Sequence, residues 1–340
     1  MKHILIVALS VLTISCNSAQ TKSIQKISTR VDYANTITAE ELKTHLYTFA
    51  SDKMEGRMTG TDGQKLAAEY LRNFYMDQGI QSPIEENNYY QTIPASYLGR
   101  RIKTDSENVV AFIKGSEKPE EIIVLSAHYD HVGMRENGDI YNGADDDGSG
   151  TVALLEIAEA FQQAVRDGNG PKRSILFLHV TGEEIGLFGS KYYTENPIFP
   201  LENTVCNLNT DMIGRIDPDK AGDEDYVYLI GSDKLSQELH DVSEAVNDKY
   251  IQLELDYKFN DENDPNRFYY RSDHYNFAKN NIPVIFYFNG VHEDYHKPTD
   301  TPDKIEYDLL AKRARLIFQT AWEVSNRENR IVADKLGKKE

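Results

Sequence analysis

The chain has 340 residues, 40% of them hydrophobic, enough apolar material for one large core. Against 55 Asp and Glu stand 37 Lys and Arg, a formal net charge of −18. That excess argues against nucleic acid or an anionic membrane surface as a partner.

The N-terminus "MKHILIVALSVLTISCNS" has a basic start and an apolar run from Ile4 to Ile14, followed by Ser15 and Cys16. The run is too short for a permanent membrane span and predicts a secretory signal over 1–16. A cysteine directly after it, behind a small residue, resembles a bacterial lipoprotein processing site. Cys16 would then be lipidated, the sole membrane attachment expected, and the protein would be an exported periplasmic or cell-envelope lipoprotein. Thr13 departs from the leucine usual three residues before such a cysteine, so simple secretion is the alternative. Cys206, the other cysteine, lies in an apolar segment and reads as an inert core residue.

Residues 17–37 are polar and aperiodic and read as a tether, leaving a folded domain over 38–326 and a polar tail over 327–340. Residues 39–50 look helical and 50–63 form a glycine-punctuated loop. Leu66, Ala67, Tyr70, Leu71 and Phe74 mark one face of a helix that stops at Gly79. "ENVVAFIKG" (107–115) and "EIIVLSAH" (121–128) read as strands joined by a short turn containing Pro119. A helix follows "DIYNGADDDGSG" and runs to about Val165. Strands recur at 173–180, 203–210 and 282–288. The region 215–271 holds one strand, "DYVYLIG", one helix (233–247) and long loops. A helical stripe runs from Tyr307 to Val324. Alternating helices and continuous apolar strands predict a single α/β domain with a mixed, mostly parallel sheet covered by helices on both faces.

Five motifs fall at strand C-termini or in the loops after them: "AHYDHVG" (127–133), "GADDDGSG" (143–150), "GEEIG" (182–186), "NTDMIG" (209–214) and "DYHKPTDT" (294–301). Each alone is a weak signal. H-x-D pairs are common on surfaces, "DDDGSG" suits a turn and helix cap, and "GEEIG" suits a solvated loop. In open α/β sheets, however, ligands bind outside the carboxyl ends of the strands. Gathered there in this order, His128, Asp146, Glu184, Asp211 and His296 offer too many ligands for one open zinc site. Shared between two divalent ions, probable zinc, they fit a two-metal centre, with Glu184 a ligand and Glu183 free to accept a proton from water.

The motif series is similar to that of the co-catalytic di-zinc aminopeptidases, the leucyl aminopeptidase and aminopeptidase Y type, over residues 40–325. The resemblance implies that His128 and Asp211 hold one ion, Glu184 and His296 the other, and that Asp146 bridges them. It further implies that Asp130 orients His128, that Glu183 is the general base, and that Tyr269, three residues before the serine of "RSDH", helps stabilise the oxyanion. Peptides with a free N-terminus are the implied substrates. Relatives of this architecture also include single-zinc glutaminyl cyclases, carboxypeptidases and a receptor ectodomain that has lost the metal site.

The remaining histidines carry blander expectations. His131, His274 and His292 read as supporting or structural residues, His179 as a core residue, and His45 and His240 as surface residues on helices. Asp147 either positions Asp146 through hydrogen bonds or begins the helix.

Overall fold

The computed structural model describes residues 29–336. The segment assigned to a signal and lipidation site, with most of the expected tether, lies outside them. Helices α1 (Arg30–Ala34), α2 (Ala39–Phe49) and α3 (Asp62–Asp77) precede strands β1 (Tyr90–Ile93), β2 (Ser106–Ile113) and β3 (Lys118–His128). Then come α4 (Gly150–Arg166), β4 (Arg173–Val180), α5 (Phe188–Glu195), β5 (Thr204–Thr210) and β6 (Tyr226–Ile230). The chain continues through α6 (Gln237–Tyr250), β7 (Glu254–Asp256), α7 (His274–Ala278), β8 (Val284–Phe288) and α8 (Tyr307–Asn326).

These strands form one sheet in the order β1-β2-β4-β3-β5-β8-β6-β7. The central β4, β3, β5 and β8 are parallel, while β2 and β6 flank them antiparallel. Burial explains the apolar runs: every residue of β4 and β5 is buried, as expected for strands covered on both faces. Ile123, Leu125 and Ala127 of β3 face a core built with Leu46, Leu71, Leu155 and Phe318 from the helices. Ile122 and Val124 face the opposite core, closed by Tyr193 of α5 and Phe277 of α7.

The strands at 107–115 and 121–128 are consecutive but not paired, because β4 inserts between them and bonds to both. Three expectations change. Pro119 lies inside β3, beside a register shift against β4, rather than in the turn. The supposed tether is folded from Thr29 onward: a reciprocal Thr29–Asp32 cap starts α1, and Tyr33, Ala34 and Ile37 are buried in the core. The polar tail also packs, with Ile331 buried and the Arg330 guanidinium donating to the carbonyls of Glu202 and Thr204.

The helix expected at 233–247 begins at Gln237, where the Ser236 hydroxyl accepts the Leu239 N–H. The parallel strands β3, β4, β5 and β8 end at His128, Val180, Thr210 and Phe288. One edge of the sheet therefore receives four of the five motifs.

Candidate metal centre

Asp146, in the turn that opens α4, lies between two groups of side chains. Its Oδ1 is 3.2 Å from His128 Nε2, at the end of β3, and that nitrogen is 3.5 Å from Asp211 Oδ1, just past β5. Its Oδ2 is 3.0 Å from His296 Nε2, which is also 3.0 Å from Glu184 Oε2. All five ligand positions expected from the sequence therefore converge, and Asp146 faces one half of the cluster with each oxygen.

The surrounding chain holds these groups through backbone hydrogen bonds. Asp147 accepts the N–H groups of His128, Gly150 and Met212, tying β3, α4 and the end of β5 together. Asp145 accepts the Gly214 N–H and the Ser149 hydroxyl, and its other oxygen lies 3.1 Å from His292 Nε2. Ser272, from "RSDH", donates to Asp211 Oδ2 at 2.6 Å. Asp130 orients His128 through its backbone carbonyl, 3.0 Å from Nδ1, rather than through its carboxylate, which lies 3.8 Å away. That carboxylate instead accepts the Thr59 hydroxyl and the Glu183 N–H. It therefore holds the turn that carries the glutamate pair.

Arg57 and Asp300 are supporting residues that motif reasoning did not single out. Arg57 is completely buried and donates to the carbonyls of Tyr129, Asn142 and Gly143 at 2.6–2.9 Å, and to Phe49 at 3.3 Å. Burial lowers its pKa to about 10, against the opposing pull of Asp146, Asp300, Asp130 and Asp147. It keeps its charge at neutral pH. Its only sequence signal is a lone arginine in a glycine-rich loop.

The two glutamates are pushed in opposite directions. Burial raises Glu183 well above the usual carboxylate range, outweighing the attraction of His128. Burial and Asp146 also act to raise Glu184, but the imidazoles of His131 and His296 hold it below that range. His296 rises to about 10: burial opposes its charge, but Asp146 and Glu184 favour it more. Depressed carboxylates beside elevated imidazoles describe a pocket whose charge balance favours a cation. Among the buried polar atoms without a hydrogen-bond partner are Nδ1 and Nε2 of His131, Oδ2 of Asp146 and Oε1 of Glu184. Buried atoms of this kind are costly unless something satisfies them. A nitrogen and carboxylate donor set of this chemistry suits zinc.

The structure moves three residues from their expected places. His131 enters the cluster, with Nδ1 2.7 Å from Glu184 Oε1. Tyr269 is not among the residues lining the cleft. Its ring packs beside Gly231 among Tyr270, His274 and Tyr275, with the Lys234 ammonium 5.1 Å from its centroid. In the short turn at 268–270 Phe268 takes the cleft side instead, and the tyrosine lining the cleft is Tyr295, stacked on His296 at 4.0 Å. His45, expected at the surface, is largely covered, with Nδ1 2.6 Å from the Tyr70 hydroxyl and Nε2 3.2 Å from Glu156. His179 is a core residue, as expected, with Nε2 2.7 Å from the Tyr75 hydroxyl and Nδ1 buried without a partner.

A mixed α/β sheet with imidazoles and carboxylates gathered at its carboxyl edge defines a protein of the zinc-exopeptidase type. Residues 108–321 match Peptidase family M28, and the chain belongs to that family. Among curated relatives, the "Probable leucine aminopeptidase" of Arthroderma otae is 26% identical over 77% of this chain and 71% of its own. The "Probable zinc metalloprotease" of Pyricularia oryzae is 33% identical over 43% of this chain, a match spanning 28% of that protein's length. Among solved structures, the Legionella pneumophila LapA aminopeptidase superposes with a TM-score of 0.68 at 18% identity, over 96% of this chain and 81% of that one. A Bacteroides thetaiotaomicron glutaminyl cyclase gives 0.65 at 18% identity, over 86% and 99%. At these identities the two structures establish a shared fold.

Proposed function

We propose that the protein is an exported aminopeptidase that removes N-terminal residues from peptides with a pair of zinc ions. His128 and Asp211 would hold one ion, Glu184 and His296 the other, with Asp146 between them. Zinc held there supplies Lewis acidity to the scissile carbonyl and to attacking water. Glu183 lines the cleft and has a raised proton affinity, which suits it to accept a proton from water and return one to the leaving amine.

The observation that carries this reading is the cleft itself. Asp146, Glu183 and Asp211 form its acidic floor, and Met212, Phe286 and Phe288 are among its apolar walls. A peptide's first side chain gains from contact with the apolar wall. Arg271 also lines the cleft, so the lining by itself does not separate an aminopeptidase from a carboxypeptidase; similarity to the leucine aminopeptidases favours the former. Tyr295 faces the same carboxylates, and its pKa rises through burial and their charges. Its position in the cleft supports giving it the role of donor to a developing oxyanion, which the resemblance assigned to Tyr269.

Two measurements on one preparation test the reading: zinc content per chain, and hydrolysis of aminoacyl-nitroanilides with and without chelator. Two zincs with chelator-sensitive release supports it. One zinc with cyclisation of N-terminal glutamine would point to the glutaminyl-cyclase chemistry, and activity confined to blocked N-termini would refute the aminopeptidase. Export and lipid attachment rest on the apolar run and Cys16. Detergent-phase partitioning that disappears in Cys16→Ser would support the anchor, while aqueous partitioning of both proteins would favour simple secretion.

A further inference from the structure

We infer that His131 is a zinc ligand through Nδ1. It makes the His131–Asp146–Glu184–His296 half a closed, high-affinity site and leaves the His128–Asp211 half open for reaction. This inference rests on the two-zinc reading above.

Three observations carry it. His131 is buried, and neither ring nitrogen has a hydrogen-bond partner. Nδ1 nevertheless lies 2.7 Å from Glu184 Oε1 and 3.8 Å from Asp146 Oδ2, and the ligating atoms of all four residues lie within 4.8 Å of one another. Two atoms each about 2.1 Å from one zinc are about 3 Å apart at a right angle and about 3.4 Å apart at the tetrahedral angle. The His131 and His296 contacts, from 2.7 to 3.8 Å, bracket those values. A contact this close that lacks the alignment of a hydrogen bond is what two ligands of a common ion produce.

The chain is also built around this imidazole. A Cβ on Gly143 would fall 2.5 Å from His131 Cγ and 2.6 Å from Cδ2, so the glycine, at φ +54°, leaves the space the ring fills. The Arg57 carbonyl accepts the His131 N–H, and the Arg57 guanidinium holds the Gly143 carbonyl at 2.9 Å. One buried residue, Arg57, therefore touches both sides of the ring's slot, through its backbone carbonyl and through its guanidinium.

The two halves differ in ligand number rather than in burial: His296 is 38% exposed, whereas His128 and Asp211 are almost covered, and of the unshared ligands Asp211 lines the cleft with Glu183. Zinc with four protein ligands is characteristic of structural sites, and an open position is characteristic of catalytic ones. The half with fewer protein ligands is the one whose Asp211 lines the cleft together with Glu183.

The test is X-ray absorption and chelator-competition dialysis on full-length protein carrying one and then two equivalents of zinc. With one equivalent, wild type should show two imidazoles per zinc. His131→Gln should show one, and bind its first zinc more than 100-fold more weakly, beyond the 10–100-fold usual for a supporting residue. His131→Cys should recover affinity and show sulfur at about 2.3 Å, which keeps the idea testable if the Gln variant folds poorly. Unchanged imidazole count and affinity in His131→Gln, or no sulfur in His131→Cys, overturns the inference. Wild type that takes up two zincs with one imidazole each also overturns it, while leaving the two-zinc reading intact. Wild type that never holds two zincs defeats that underlying reading instead.

Discussion

Asp300 accepts the backbone N–H of Asp146 at 3.2 Å, joining two motifs that stand 154 positions apart in the chain. The neighbouring Asp145 N–H lies 3.1 Å from each Asp300 oxygen, so a single buried carboxylate holds the turn that presents the shared ligand. Asp300→Asn keeps the shape but loses the charge and one acceptor oxygen. The expected cost is about 1–3 kcal/mol of stability and a roughly 10–100-fold loss of zinc affinity. Urea unfolding and chelator competition measure both, and wild-type values in each would show that Asp300 does not hold the turn.

Arg57→Met preserves the length of the stem but strands the carbonyls of Tyr129, Asn142 and Gly143 in the interior. At about 1–3 kcal/mol for each buried group left unpaired, the loss should reach at least ~3 kcal/mol. Zinc affinity should fall as well, because the loops bearing His128 and His131 lose their common anchor. A variant within about 1 kcal/mol of wild type would mean that water or local rearrangement satisfies those carbonyls.

Glu183→Gln should retain the full zinc content, since Glu183 is not among the cluster's proposed ligands, while turnover drops by roughly 10²–10⁴. Glu184→Gln should behave differently and lose zinc along with activity. Comparable metal loss in the two variants would reverse or erase the division of roles between the adjacent glutamates.

Acid should destabilise the fold through two buried histidines that the site does not use. Burial lowers the pKa of both His179 and His274 to about 3. Between that value and about 6.5 the unfolded chain binds protons that the folded chain refuses, so stability rises with pH across this window and falls on acidification. Each histidine contributes a slope of up to about 1.4 kcal/mol per pH unit. Urea unfolding of wild type and His179→Leu at pH 7 and pH 5 should show the smaller pH dependence in the variant. Equal slopes would mean that His179 takes up its proton without unfolding.

The elements and the cluster were legible to different depths. A continuous apolar run located the strand at 173–180 to the residue, and periodicity located the stripe of α8, because such patterns record how a local segment is buried. The five expected ligand positions were legible because few residue types bind zinc, four of them stand at or after strand ends and the fifth, Asp146, lies in the turn that opens α4. Arg57 was not legible: its partners are backbone carbonyls, which leave no mark in the choice of side chains. Tyr295, which lines the cleft, was not singled out because the resemblance directed attention to Tyr269.

What the sequence determined alone was the kind of elements present, the edge of the sheet that would carry the chemistry, and the donor set for a metal. These depend on spacing along the chain and on side-chain chemistry, both local properties. Only the tertiary structure decided that β4 would separate β2 from β3, that His131 would enter the cluster beside Glu184, and that residues from Thr29 would join the core. Those outcomes depend on which distant surfaces meet when the sheet and its helices close together, and chain spacing does not encode that choice.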